Sequence, residues 1–401
     1  MRLLFSLLLG LTLLFSCTER NVEIETTLAS KTQEKKVFQE GSVFVDNQFD
    51  GARLNGFKQL NDSTYQVLIT PENIPINNSP WFSFRIWSEQ VTTIKLEIAY
   101  AEDHKHRYIP KLSADGSIWE PIAQDLYQVD TTTGKLMLEL RLSPKKLWVS
   151  AQENLNSAYI HAWMDSLSQS AYISEEEVGK SVLGQPISLL KIKNGTPKYS
   201  IIVMGRQHPP EVPGGTISLV SFVQTVLSDS ELASSFREKF EMFVFPLLNP
   251  DGVDHGNWRH NANGKDLNRD WQAFSQPETK AVKDWLTNAE NISKNGQYCF
   301  GIDFHTSFSG PYLLTLDTIP HKVKPDLTRK WINQVESETK QKLDIRPRAQ
   351  SLPYCYNWMI NALEIEAVTY EEGDEIDRAV VQQRAKDYAN VLMKVLLEKY
   401  D

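Results

Sequence analysis

The stretch SIIVMGRQHPPEVPGG, residues 200–215, places an apolar run, Ile201 to Met204, before a glycine. It then sets an imidazole and a carboxylate three residues apart, His208 and Glu211. The run reads as a buried strand and Gly205 as the start of its turn. Pro209 and Pro210 exclude a continuous helix through the pair, so this is not the helical two-histidine arrangement of a zincin. The pair is either polar decoration on an ordinary loop or two metal ligands fixed by a stiff strand end. Catalytic zinc usually takes three protein ligands and leaves a position open for water. GIDFHTSFSG, residues 301–310, supplies a third candidate, His305, again directly after an apolar run. Alone, His305 reads as a structural histidine; two strand-end settings together shift the balance toward a site of two histidines and a glutamate.

The surrounding pattern fits such a site. From about Gln152 onward, short apolar runs (Ile187–Ile192, Ser200–Met204, Met242–Leu247, Tyr298–Phe304, Ala367–Tyr370) alternate with helix-like stretches. Pro277 stands at the favoured first position of one helix, with Val282, Trp285 and Leu286 as its apolar stripe. A last helix, about Ile376 to Lys399, puts Val381, Ala385, Tyr388, Leu392 and Val395 on one face at core spacing. Residues 151–401 therefore read as an α/β domain with a largely buried sheet, in which chemistry sits where strands end.

Residues 37–150 are different. Phe82, Phe84 and Ile86, then Ile94, Leu96, Ile98 and Tyr100, then Leu136, Leu138, Leu140 and Leu142 repeat with period two, separated by turn-forming segments. Short alternating strands without a helix predict a β-sandwich. His104 and His106 fall in a polar loop and read as solvated rather than ligating.

The chain of 401 residues carries a net charge of −9 and no basic stripe, so a nucleic-acid partner is not expected. It has three cysteines, Cys17, Cys299 and Cys355, and no CxxC pair, which argues against a disulfide framework and against a cysteine zinc site. Cys299 and Cys355 read as small buried apolar residues. Met1-Arg2 followed by an apolar Leu3–Phe15 and Ser16-Cys17 reads as a signal peptide, residues 1–17, ending in a lipobox-like cysteine. The expectation is a lipid anchor at Cys17 in a bacterial cell envelope, with plain secretion as the alternative. Residues 18–36 read as a polar tether.

The segment NPDGVDHGNWRHNANGKDLNRDW, residues 249–271, is rich in turn formers and could be a solvated loop. Yet DLNRDW gathers a carboxylate, an amide and a guanidinium within four residues, a set suited to gripping an anion.

Taken together, HPPE (208–211), NPDG (249–252), the run R-x-N-x-x-G-x-D-L-N-R-D-W (259–271), DFH (303–305) and TYEEGD (369–374) resemble the zinc carboxypeptidases of the M14 type. The β-rich N-terminal region and GKSVLGQPISLLKI (179–192) resemble more narrowly the cytosolic-carboxypeptidase branch and its bacterial relatives. The resemblance spans residues 37–401. It implies a mixed sheet flanked by helices, preceded by the all-β sandwich, and one Zn2+ per chain held by His208, Glu211 and His305. It implies that Arg259 polarises the scissile carbonyl, that Asn268 and Arg269 with Arg259 hold the substrate, and that Asp266 orients a histidine ligand. Glu371 would be the general base and acid; Glu372 is its neighbour, but successive strand residues face opposite ways. The substrates implied are peptide or protein C-termini. The family's tyrosine upstream of the catalytic glutamate could be Tyr354 or Tyr356, which the sequence does not separate. An N-acyl amino acid deacylase or cell-wall peptide amidase of related fold is the alternative enzyme. A binding protein on an inactive scaffold is disfavoured, because ligands, oxyanion donor and base are all present.

Overall fold

The computed structural model describes residues 33–400 apart from 102–103, 289–290, 292–295, 319, 321–322 and 324–325. Cys17 and the leader lie outside the described residues. The region read as a tether ends sooner than residue 36. Gln33 is buried, donates through its side-chain amide to the carbonyl of Ala52, and accepts from Leu54 N at 2.8 Å.

Two sheets occupy residues 37–150. One has six strands in the order Val37–Glu40, Val43–Asp46, Ser83–Ser88, Leu147–Ser150, Lys111–Ser113 and Glu120–Pro121; the other has five, Gly56–Asn61, Thr64–Ile69, Thr92–Tyr100, Leu136–Leu142 and Tyr127–Val129. The alternating residues Phe82, Phe84 and Ile86 meet Leu96, Ile98, Leu138 and Leu140 between the sheets. Burying one apolar face of each sheet is what drives such a sandwich together.

The second half is built on one eight-stranded mixed sheet. Its order is Ile173–Lys180, Pro186–Ile192, Phe240–Phe245, Tyr199–Gly205, Gln297–Ser307, Glu366–Gly373, Tyr312–Leu316 and Ile345–Arg348. The strands Phe240–Phe245, Tyr199–Gly205, Gln297–Ser307 and Glu366–Gly373 run parallel at its centre. Buried on both faces, they are apolar almost throughout, as parallel strands must be. Alternation sorts the side chains. Ile201 and Val203 pack with the helices Leu219–Val226, Leu327–Thr339 and Arg378–Tyr400 on one face. Ile202 and Met204 pack with Pro277–Thr287 and Cys355–Ala362 on the other. The stripe Val381, Ala385, Tyr388, Leu392 and Val395 is buried throughout, and Cys299 and Cys355 are buried thiols.

The two halves share a core. Val212 and Trp258, from the second half, are fully buried among the sandwich residues. The reading of His104 and His106 as solvated is corrected: both are half-buried, His104 against Trp258 and His106 against Tyr100 and Phe82. His104 meets the edge of Trp258 with ring centroids 4.9 Å apart, and His106 Nδ1 lies 2.7 Å from the Tyr100 hydroxyl. Burial lowers the His106 pKa to about 4. Period-two reasoning treats each segment alone and does not see that the loop is covered by another part of the chain.

Candidate active site

The site lies at the carboxyl ends of three adjacent parallel strands, where an open α/β sheet leaves a crevice. Leaving Tyr199–Gly205, the chain passes through Arg206, a buried non-glycine residue with φ +54°. Its guanidinium donates to the Pro209 carbonyl at 2.8 Å and to Thr216 Oγ1 at 2.6 Å, bracing the loop from within. A π-helical turn, Pro213–Ser218, follows Glu211 immediately and runs into Leu219–Val226. Asn249, of the NPDG segment, caps the short helix Pro250–Asp254 and donates to the Gln207 carbonyl at 3.0 Å, supporting the same loop from outside. The HPPE loop is thus held at both ends by side chains, which is how a non-helical spacing fixes two polar groups.

His208 Nδ1 lies 2.7 Å from Glu211 Oε1, and His305 Nδ1 lies 2.7 Å from Glu211 Oε2. One ligand atom from each of the three residues can be chosen so that all lie within 4.8 Å of one another. The far ring nitrogens are occupied: His208 Nε2 by Asp266 Oδ1 at 2.9 Å and His305 Nε2 by Asp303 Oδ2 at 2.8 Å. A carboxylate on Nε2 selects the tautomer that carries its proton there and turns the Nδ1 lone pair inward. Two inward imidazoles and a carboxylate, all held against rotation, are a donor set that fits zinc.

The electrostatics follow from this crowding. Burial works against charge on Glu211, but the two imidazoles outweigh it and hold its carboxyl well below the usual range. Burial is likewise overcome at Asp266 by His208 and Arg259, and its pKa is also well below the ordinary value. For His305, burial favours the neutral ring, yet Asp303 and Glu211 raise its pKa well above normal.

Asp303 and Gln207 were not singled out from the sequence. Gln207 Nε2 donates to both Asp303 oxygens at 2.9 and 2.8 Å, and its own Oε1 accepts from Trp271 Nε1 at 2.8 Å. The signal was present in DFH: residues two apart on a strand share a face, so Asp303 had to point the same way as His305.

Asp266 accepts from Asn268 N and caps the short turn Leu267–Arg269. Its second oxygen accepts from Arg259 Nε at 2.7 Å. Asn268 is buried, with Nδ2 3.2 Å from His305 Nε2 and Oδ1 accepting from Cys355 N at 2.9 Å. The Arg269 side chain is 43% exposed and lies over the Tyr354 ring at 4.4 Å. Glu371 pairs in register with His305 across the parallel strands. Burial raises its pKa to about 7; Glu211 pushes the same way, and His305 and His208 oppose it. Glu372 faces the other side of the sheet, 2.6 Å from Arg384.

These groups open onto one cleft of about 340 Å³. His208, Glu211, Arg259, Asn268, Arg269 and Glu371 all line it. So do Ser307, Phe308 and Tyr312, and Arg348 with Tyr354. Tyr356 does not: it is fully buried and bonds the Thr315 carbonyl at 3.2 Å, so Tyr354 is the member of the pair at the cleft. The sandwich adds Asn77, Asn78, Ser79 and Arg107 to the wall, and Arg107 forks onto Asp374 at 2.7 and 3.1 Å.

Residues 160–342 match the family model described as zinc carboxypeptidase, peptidase M14. That stretch is similar to the zinc carboxypeptidase domain of the family, and the fold is that of solved metallo-carboxypeptidases. It is 22% identical over 390 residues to an uncharacterized protein of Zymomonas mobilis, covering 89% of this chain and 96% of that one. It is 24% identical over 304 residues to cytosolic carboxypeptidase 6 of Mus musculus, covering 66% of this chain and 53% of the mouse protein. The chain therefore spans about half the length of that relative. The solved metallo-carboxypeptidase of Pseudomonas aeruginosa superposes with a TM-score of 0.71 at 19% identity, over 88% of this chain and 99% of that one.

Proposed function

We propose that the protein is a zinc-dependent metallocarboxypeptidase that hydrolyses the C-terminal peptide bond of peptides or proteins, with Glu371 as general base. The observation that carries this reading is the convergence on one cleft of the His208–Glu211–His305 donor set, Glu371 in register with His305, and the Arg259–Asn268–Arg269 group.

His208 Nδ1, the Glu211 carboxylate and His305 Nδ1 would hold one Zn2+. When bound, zinc supplies Lewis-acid chemistry, acidifying water and stabilising developing negative charge. The chain's own groups do the rest. Glu371 takes a proton from the attacking water and returns it to the leaving amine, a role for which a carboxyl with a raised pKa is suited. Arg259, oriented by Asp266, donates to the oxygen on which charge builds; removing such a donor typically costs about 100- to 1,000-fold in rate. Asn268 and Arg269 grip the free terminal carboxylate of the substrate, and Tyr354 braces Arg269.

The test is amino-acid release from peptides varied at the last residue, alongside N-acyl amino acids, with and without chelator. Chelator-sensitive release from peptides that vanishes in Glu371→Gln supports the peptidase. Turnover of the acyl compounds alone moves the assignment to a deacylase.

The same reading puts the enzyme on a lipid anchor at Cys17, facing the bacterial envelope. Incorporation of a labelled fatty acid that is lost in Cys17→Ser tests this; label retained in the variant refutes it.

A further inference from the structure

Arg259 belongs to the second half of the chain, but its main chain is held by the first. Glu72, in the sandwich segment Thr70–Trp81, is completely buried. Its carboxylate accepts three successive backbone N–H groups: Trp258 N on Oε2 at 2.8 Å, and Arg259 N and His260 N on Oε1 at 3.0 and 2.7 Å. Three consecutive amides turned onto one anion form a concave nest, here filled by a side chain from elsewhere in the fold.

A buried carboxylate needs compensation. Arg53, also buried and also from the sandwich, places Nη2 3.5 Å from Glu72 Oε2. The same guanidinium donates to the Gly256 carbonyl at 2.9 Å and to Asn257 Oδ1 at 3.0 Å. Asn73, next to Glu72, accepts through Oδ1 from His260 Nδ1 at 2.8 Å and donates through Nδ2 to the Gly264 carbonyl at 3.3 Å. Residues 256 to 260 are thereby clasped at every position, either by a bond to the sandwich or, for Trp258, by side-chain burial in it as well. With Trp258 lodged in the sandwich core, Arg259 lines the cleft, where Asp266 takes its Nε.

We propose that Glu72, supported by Arg53, is a positioning residue for catalysis: it fixes the backbone of Arg259 so that the guanidinium meets the oxygen on which charge develops. The inference rests on the carboxypeptidase reading and on the part assigned there to Arg259. It gives the sandwich a share in the chemical step without a sandwich atom touching substrate. Glu72→Gln keeps the volume but replaces one acceptor oxygen with an NH2 group that faces N–H donors, so the nest opens on one side. A displacement of about 1 Å at a group that acts in the transition state costs on the order of 100-fold in rate.

The experiment is a double-mutant cycle on the full chain, with zinc stoichiometry recorded for every variant. Glu72→Gln is measured alone and in an Arg259→Ala background, using a peptide the wild type cleaves. The expected result is a fall of about 100-fold in kcat with KM changed far less. In the Arg259→Ala background, adding Glu72→Gln changes the rate less than about threefold, because the arginine it positions is already gone. Multiplicative losses in the two backgrounds, or loss of zinc in Glu72→Gln, would overturn the inference in favour of a general structural role. Should Glu72→Gln fail to fold, Arg53→Lys serves in its place. It keeps a positive charge near Glu72 but gives up the fork onto Gly256 and Asn257, and the same non-additivity with Arg259→Ala is expected. Absence of turnover in the wild type would instead count against the carboxypeptidase reading itself.

Discussion

Asp303 and His305 extend from the same face of one strand, and the aspartate oxygen Oδ2 lies 2.8 Å from the histidine Nε2. The carboxylate is fully buried and is itself held by Gln207, so the imidazole has one available orientation. Asp303→Asn keeps the shape and removes the charge. Zinc affinity should fall about 10- to 100-fold, the usual effect of losing such a partner. Competition against a chromogenic chelator measures it. Chelation should also lower Tm of the wild type, since a ligand at a hundred times its Kd contributes about 2.7 kcal/mol; unchanged affinity in Asp303→Asn would remove the aspartate from the ligand system.

The acid limb of the pH–rate profile is expected to belong to Glu371. Burial raises its pKa to about 7. The active base is the carboxylate, so activity is present above that pKa and lost as pH falls through it. A bound dication favours the charged form and moves the limb below 7. In kcat/KM against pH, wild type should show this limb and the residual rate of Glu371→Gln should lack it. An identical limb in the variant would assign it elsewhere.

Arg269→Gln should raise KM for peptides with a free C-terminus by about 10- to 100-fold, as expected for one charge-assisted contact. Peptides amidated at the C-terminus are the control. Wild type should discriminate against them strongly, and the variant should not. Equal discrimination by both would place the terminal carboxylate on another group.

Gly214→Ala addresses how closely the helix after HPPE sits on the histidine strand. An added Cβ would stand 1.7 Å from the His305 carbonyl oxygen, and Gly214 N donates to Thr306 Oγ1 at 2.7 Å. Forcing these elements apart should cost about 1–3 kcal/mol or more and reduce zinc occupancy. Urea titration and metal analysis read both. A variant of normal stability and full occupancy would mean the packing yields.

The sequence made the candidate ligand positions legible because they follow apolar runs, and runs of that kind are visible without knowing which strands are neighbours. Alternation put Glu371 and Glu372 on opposite faces of a strand, and the motif resemblance chose Glu371 between them. What it did not reveal depends on pairing across distance. Asp303 is legible only once His305 is read as a candidate ligand; Gln207 only once both are in place. Tyr354 and Tyr356 both sit beside the cleft region in sequence, and only the helix starting at Cys355 sends Tyr356 inward to Thr315. Glu72 and Arg107 carry no local signal at all, since a lone acidic or basic residue in a polar loop is ordinary. Their partners are about 180 to 270 positions away.

Val212 follows Glu211 and Trp258 precedes Arg259, yet both side chains complete the hydrophobic interior of the neighbouring sandwich. Any mutation that loosens that interior pulls on Glu211 and Arg259 through a single peptide bond. The two halves are thus not interchangeable modules: a chimera carrying this eight-stranded sheet beneath a foreign N-terminal region would inherit His208, Glu211 and His305 but not the seats for Val212 and Trp258.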